Sequence, residues 1–179
     1  MPFALGYFLS YLYRTVNAVI GPNLVEEVAL TAGGLGLLTS AYFISFAAAQ
    51  LPIGFFLDSH GPRRTVASLL IVAAIGALVF SFGNGLWDLA LGRALIGLGV
   101  AACLMASFKA MGEWFPREKL PMANGFIMAS GGLGAITATA PTQYLVMNMG
   151  WRYGFVVLAI STLVVALIIW FFVPERERE

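Results

Sequence analysis

Apolar residues fill this chain in long runs, and polar residues gather in short breaks. The breaks read PNLVEE, DSHGPRR, FGNG, WFPREKLP, NMGWR and PERERE. Between them lie six apolar runs, at about 3–24, 33–57, 64–83, 86–112, 121–147 and 153–173. Each reaches the roughly 20 residues that a helix needs to cross the hydrocarbon of a bilayer. Transmembrane β-barrels are built from alternating segments of about 10 residues, and the runs do not alternate. Lipid offers no partner to a backbone N–H or C=O, so uninterrupted apolar runs must pair these groups within helices. The pattern predicts an all-α membrane protein, a six-transmembrane-helix bundle over residues 1–174, with 175–179 beginning a cytoplasmic loop.

Composition strengthens that expectation. Of 179 residues, 60% are hydrophobic and 11% charged, with mean hydropathy +0.87. Soluble domains run at about 45–50% apolar and about 25% charged, so this chain lacks the charge to cover a soluble surface and is expected to sit in a lipid bilayer. A net charge of +1 gives no basic footprint for nucleic acid. The single cysteine, Cys103, lies in an apolar run. It excludes an internal disulfide or a multi-cysteine metal site and reads as a small buried hydrophobe. No cofactor and no metal is expected. The first run is too long for a signal-peptide core and carries Arg14.

Lysine and arginine in short loops set orientation. Arg63 and Arg64, Arg117 and Lys119, and Arg176 and Arg178 fall on one side, and Arg152 on the other. Both termini are therefore expected in the cytoplasm, with the protein in the plasma (inner) membrane. Trp87 and Trp151 are expected at the outer interface and Trp114 at the inner one. Small residues recur inside the runs, as in GLGVAAC at 97–103 and ASGGLGAITATA at 129–140. They allow helix backbones to approach closely in a packed bundle.

The break after the second run, GFFLDSHGPRR, resembles the loop 2–3 signature of the major facilitator superfamily, G-x-x-x-D-x-x-G-x-[RK]-[RK], at Gly54, Asp58, Gly61, Arg63 and Arg64. Ser59 stands where the family usually has a basic residue. In the fourth run, RALIGLGVA resembles the family's R-x-x-x-G-x-G-x-A pattern at Arg93, Gly97, Gly99 and Ala101. WFPREKLPMANG looks like its 4–5 loop and GWR at 150–152 like its 5–6 loop. The resemblance implies one half of a twelve-helix fold, made of two inverted three-helix repeats. The missing C-terminal six-helix half, or a second copy, is then an expected partner. It further implies a gating loop at Gly54, Asp58, Gly61, Arg63 and Arg64, and a coupling or packing role for Arg93, Gly97 and Gly99. Pro141 has no adjacent glycine, so the G-P pattern of the family's antiporters is not met.

Arg14 is the residue that composition leaves unexplained. It lies about 10 residues from either end of its run, too deep for its side chain to reach an interface. Tyr7, Ser10, Tyr11, Arg14, Asn17 and Gly21 recur at steps of three and four, forming a polar stripe on one helix face. The arrangement Y-L-x-R with proline eight residues on, at Tyr11, Leu12, Arg14 and Pro22, is similar to the first span of organophosphate antiporters and organic-anion symporters of the superfamily. There the arginine holds the substrate's anionic group. A planar guanidinium suits that task, because it forks onto an oxyanion. The expected substrate-binding residues are Arg14, Tyr11, Asn17 and Lys109. A purely structural Arg14, bound to backbone carbonyls or to a carboxylate of another half, is the alternative. Lys109 has a parallel one, with its ammonium drawn to the cytoplasmic interface. His60, the only histidine, reads as a solvated turn residue, and Ser40, Ser45 and Gln50 read equally as cavity lining or as bonds between helices.

Three functions compete. The first is a secondary transporter moving a small organic anion by alternating access, with proton or sodium as possible coupling ion. The second is a membrane partner or scaffold subunit that does not transport. An intramembrane enzyme is disfavoured, because H-E-x-x-H, G-x-S-x-G and paired intramembrane aspartates are absent from the sequence.

Overall fold

The computed structural model describes residues 2–173; Arg176, Arg178 and the expected loop at 175–179 lie outside them. Among the described residues seven helices follow one another: α1 (Pro2–Val28), α2 (Ala32–Phe82), α3 (Leu86–Val100), α4 (Cys103–Trp114), α5 (Leu120–Thr137), α6 (Ala140–Met149) and α7 (Trp151–Phe172). A 3-10 turn, Arg117–Lys119, joins α4 to α5. The described residues contain no strand. Among the described residues three stretches are long and apolar enough to cross a membrane by length and composition: α2, Leu86–Trp114 and α7. At 1.5 Å per residue, the 51 residues of α2 span about 76 Å, enough for two crossings.

The helix ends and breaks follow local chemistry. Ala29 turns out of α1 with φ 52°, and Thr31 then caps α2, its hydroxyl accepting from Gly34 N at 3.1 Å. The break expected at DSHGPRR is narrower than the sequence suggests. Only Gly61 leaves helical geometry, at φ 78° and ψ 165°, a region that glycine enters without a Cβ penalty. Thr65 Oγ1 reaches back over the kink to the Phe56 carbonyl at 3.2 Å.

Two expected single spans are interrupted. The fourth divides at Ala101–Ala102, where Gln50 Nε2 donates to the Ala101 carbonyl at 3.3 Å. The fifth divides at Ala138–Thr139, just before Pro141. Proline has no N–H and crowds the carbonyl four residues back. That carbonyl belongs to Thr137, and Thr142 Oγ1 donates to it at 2.8 Å in place of the missing bond.

The core forms where α1, α2, α3 and α7 meet. Tyr13, Tyr42, Phe80, Trp151, Phe155 and Arg93 are fully enclosed there. Tyr13 and Thr162 share a hydroxyl hydrogen bond of 2.9 Å between α1 and α7. Close helix contact depends on Gly97 and Gly99 of α3. A Cβ at Gly97 would collide with the Tyr42 carbonyl, and one at Gly99 with the backbone nitrogen of Ala73. Both positions therefore pack α3 against the two arms of α2, as small residues do in membrane bundles.

Trp151 is enclosed by neighbouring helices. It is buried against Phe80, and its indole donates to Glu27 Oε2 at 2.8 Å. Arg152 lies over the Trp151 ring at 4.3 Å and donates to the carbonyls of Ser81 at 3.2 Å and Gly83 at 2.8 Å. Those carbonyls end α2 and have no helical partner of their own. The GWR segment thus ties α1, the end of α2 and the start of α7 together.

Candidate functional site

Arg14 lies about midway along α1, on the wall of a cleft of about 690 Å³ between α1 and the first turns of α2. Asn17, Gly21, Pro22, Leu35 and Thr39 continue that wall. Three aromatic faces surround the guanidinium. Its Cζ is 5.0 Å from the ring centre of Tyr11, 5.2 Å from Phe46 and 5.8 Å from Phe43. Rings at this range hold a cation through their quadrupoles and leave its N–H groups free to donate elsewhere. Arg14 Nε is buried with no hydrogen-bond partner among the described residues. Asn17, one turn along, donates from Nδ2 to Thr39 Oγ1 at 3.0 Å.

Tyr42 stands between this cleft and the second buried arginine. Its hydroxyl donates to the Ser10 carbonyl at 3.4 Å and is within electrostatic reach of Arg14. Its ring lies 5.0 Å from Arg93 Cζ. Arg93 is 1% exposed and donates from Nη1 to the Tyr13 carbonyl at 3.1 Å, with the Phe80 ring 6.0 Å away on another side.

The expected gating residues gather at the kink of α2. Lys109 Nζ on α4 donates to Asp58 Oδ1 at 2.5 Å and to the Leu57 carbonyl at 3.1 Å. Arg63 Cζ lies 5.6 Å from the Trp170 ring of α7. Arg64 and His60 share a second, mostly apolar cavity of about 510 Å³ with Phe56 and Trp170. His60 Nδ1 is 2.7 Å from Ser59 Oγ. Gly54 faces open space: a Cβ there would meet nothing within 4 Å.

The structure therefore divides the four expected substrate residues. Arg14, Tyr11 and Asn17 stand together. Lys109 does not join them, because its carboxylate partner Asp58 lies twelve residues along α2 from Phe46, about 18 Å of helix. Of the other expected cavity residues, Ser45 turns toward the Tyr42 carbonyl and Gln50 toward that of Ala101. Phe43, Phe46 and Thr39 escape sequence reasoning. Two phenylalanines in an apolar run look like core or lipid-facing residues, and nothing short of the packing of α2 on α1 singles them out.

Known proteins repeat this arrangement of helices. Residues 3–179 match the family model described as the Major Facilitator Superfamily. A probable sulfoacetate transporter of Cupriavidus necator is 28% identical over 171 residues, covering 96% of this chain and 40% of the relative. A galacturonate transporter of Dickeya chrysanthemi is 27% identical over 175 residues, covering 98% of this chain and 50% of the relative. Among solved structures, a bacterial homolog to the human lysosomal transporter Spinster, in an inward-facing and unoccupied conformation, superposes with TM-score 0.87. It is 20% identical and covers 99% of this chain and 43% of its own, so the likeness concerns the fold. The chain spans about half or less of the length of these relatives. With the family pattern running almost end to end and the helical bundle superposing on a solved transporter, this chain belongs to the major facilitator superfamily and is an integral membrane protein.

Proposed function

We propose that this chain forms the N-terminal six-helix part of a secondary transporter that moves a small organic anion by alternating access, with Arg14 as the anion's anchor. One observation carries the reading: a guanidinium set on aromatic faces in an open cleft, deep in an apolar helix, with a buried donor left unpaired. A charged group at such depth is costly and marks a ligand or ion path. Relatives named for sulfoacetate and galacturonate lend weight to an anionic cargo. The remaining length of those relatives supplies the opposite wall of the site, since transporters of this kind bind substrate near the midplane between their repeats.

In this reading the Gly61 kink of α2 faces the cytoplasm, both termini lie there, and the membrane is the inner membrane. The Lys109–Asp58 pair then belongs to a cytoplasmic gate with Gly54, Gly61, Arg63 and Arg64. Lys109 is assigned to that gate instead of to the substrate. Arg93, Gly97 and Gly99 pack the bundle. Proton or sodium drives the cycle.

The test is equilibrium binding of small organic anions to the full-length protein and to its Arg14→Lys and Arg14→Ala variants. Lysine keeps the charge and loses the fork, so Arg14→Lys should bind more weakly. Arg14→Ala should lose about 1.5–3 kcal/mol, the contribution of a hydrogen bond to a charged group. A monodisperse Arg14→Ala protein that binds anions as tightly as the wild type would make Arg14 a structural residue and end the anion reading.

A further inference from the structure

The cavity at the kink of α2 shares no lining residue with the Arg14 cleft. Both arms of α2 wall it, with Leu98 of α3 and Trp170 of α7, around a volume of about 510 Å³. From Ala49 to His60 its first wall runs eleven residues along α2, about 16 Å of helix. That is the depth of one leaflet, half of a hydrocarbon core about 30 Å thick. The far end is apolar, at Ala49, Ile53 and Leu98, and Leu98 lies three residues before the Ala101 carbonyl that Gln50 meets. The near end is polar, with His60 and Arg64 on either side of the kink.

The hydroxyls on the second arm are spent on the backbone. Thr65 Oγ1 donates to the Phe56 carbonyl at 3.2 Å, and Ser68 Oγ to the Arg64 carbonyl at 2.8 Å. Arg64 therefore supplies the wall's charge, and no aspartate or glutamate is among the described residues that line the cavity. Asp58 stands outside that lining and is held by Lys109. Trp170 is 41% exposed at the same end, with Arg63 Cζ 5.6 Å from its ring. A tryptophan beside arginines suits the headgroup boundary of a membrane. A slot one leaflet deep, apolar inside and cationic at its mouth, complements an anionic amphiphile. A free phosphate ion would use only the mouth, and a neutral chain only the depth.

We infer that this groove binds an anionic phospholipid from the leaflet that the Gly61 kink faces, with one acyl chain laid from Phe56 toward Ala49 and the phosphate held by Arg64. A guanidinium forks onto phosphate oxygens, and its five N–H donors let it serve a lipid beside a partner within the protein. Basic pockets between membrane helices take anionic head groups in this way. The groove draws on α2, α3 and α7, and the Arg14 cleft on α1 and α2. The part of the transporter that completes the cleft therefore leaves this flank to lipid. The inference does not depend on Arg14 as an anchor.

The test offers the full-length protein, purified in detergent, equal amounts of phosphatidylglycerol and phosphatidylcholine with identical chains, and reads the retained lipid by native mass spectrometry. Phosphatidylglycerol should be retained about fivefold or more over phosphatidylcholine. Arg64→Gln should abolish that preference. Ser68→Trp, at an exposed position on the wall, fills the groove, keeps Arg64 and should reduce retention of both lipids. Arg117→Gln removes a cation from the turn between α4 and α5, outside the groove, and should leave the preference intact. Excess inorganic phosphate should not displace phosphatidylglycerol. Equal retention of the two lipids by the wild type overturns the inference. So does an equal loss of preference in Arg64→Gln and Arg117→Gln, which would assign it to the cationic face as a whole, and so does displacement by phosphate alone. Where Arg64→Gln does not fold, Ser68→Trp decides: a protein that keeps the wild-type retention has no lipid in this groove.

Discussion

Arg93 and Arg14 both set a guanidinium inside an apolar bundle, and the protein surrounds them differently. Arg93 is closed in by α1, α2 and α3, with its Nη1 committed to the Tyr13 carbonyl and rings on two sides. Arg14 has rings on three sides and a cleft in front. Each keeps one buried nitrogen without a partner, so an orphan donor by itself does not mark a binding site. What differs is the open cleft that the Arg14 side chain lines. Around Arg93 there is no room for a ligand, and the residue works as packing that happens to be charged. The aromatic faces around Arg14 steady the cation, Tyr42 stands within its reach, and the side chain lines an open cleft.

Gly97 joins the two sites, because it presses against the Tyr42 carbonyl and Tyr42 faces both arginines. Gly97→Leu should have the largest effect. An oversized side chain there forces α3 from α2 at a cost of about 3 kcal/mol or more, and both arginine environments are lost. The expected result is aggregation on size-exclusion chromatography. A monodisperse variant that still binds anions would show that the contact is soft.

Arg93→Ala comes next. It removes a large enclosed side chain among Tyr13, Tyr42 and Phe80 and should cost about 2–5 kcal/mol by analogy with large-to-small core substitutions, read as a fall in melting temperature. Arg14→Ala should change that temperature little, by less than about 1 kcal/mol of stability, since alanine is the better helix former and one face of the residue is already open. Equal losses in the two variants would erase the distinction drawn between them.

The smallest effect on anion binding is expected away from both sites. Gly61→Ala puts a Cβ at φ 78°, where an L-residue pays about 1–2 kcal/mol, with nothing within 4 Å to collide with. Anion binding should be unchanged, and any shift should concern the balance of gate conformations. A loss of binding here would mean that the kink, too, shapes the Arg14 cleft.

The helical class, the membrane setting and the depth of Arg14 were legible in the residues, because all three depend on runs of apolar positions. So was the kink at Gly61, since a glycine before Pro62 among spaced charges marks a turn. Tyr11 and Asn17 were found beside Arg14 by helical periodicity alone, a property of one helix. Lys109 stands apart from Arg14 for the complementary reason. Its position on α4 carries no information about which residue of α2 it meets, and only packing sets it on Asp58. The enclosure of Trp151 likewise came only with packing, because Glu27 of α1 and Phe80 of α2 close over it.

Periodicity along one helix is a short-range property, written in the order of residues, and it determined the fold class and the polar stripe of α1. Which faces meet depends on the approach of α2 and α3 at Gly97 and Gly99, a long-range outcome of side-chain volume. That approach decided that Arg93 is enclosed, that Phe43 and Phe46 flank Arg14, and that Thr39 orients Asn17. The sequence supplied the two guanidiniums, and the packing of neighbouring helices decided which one stands open to a ligand.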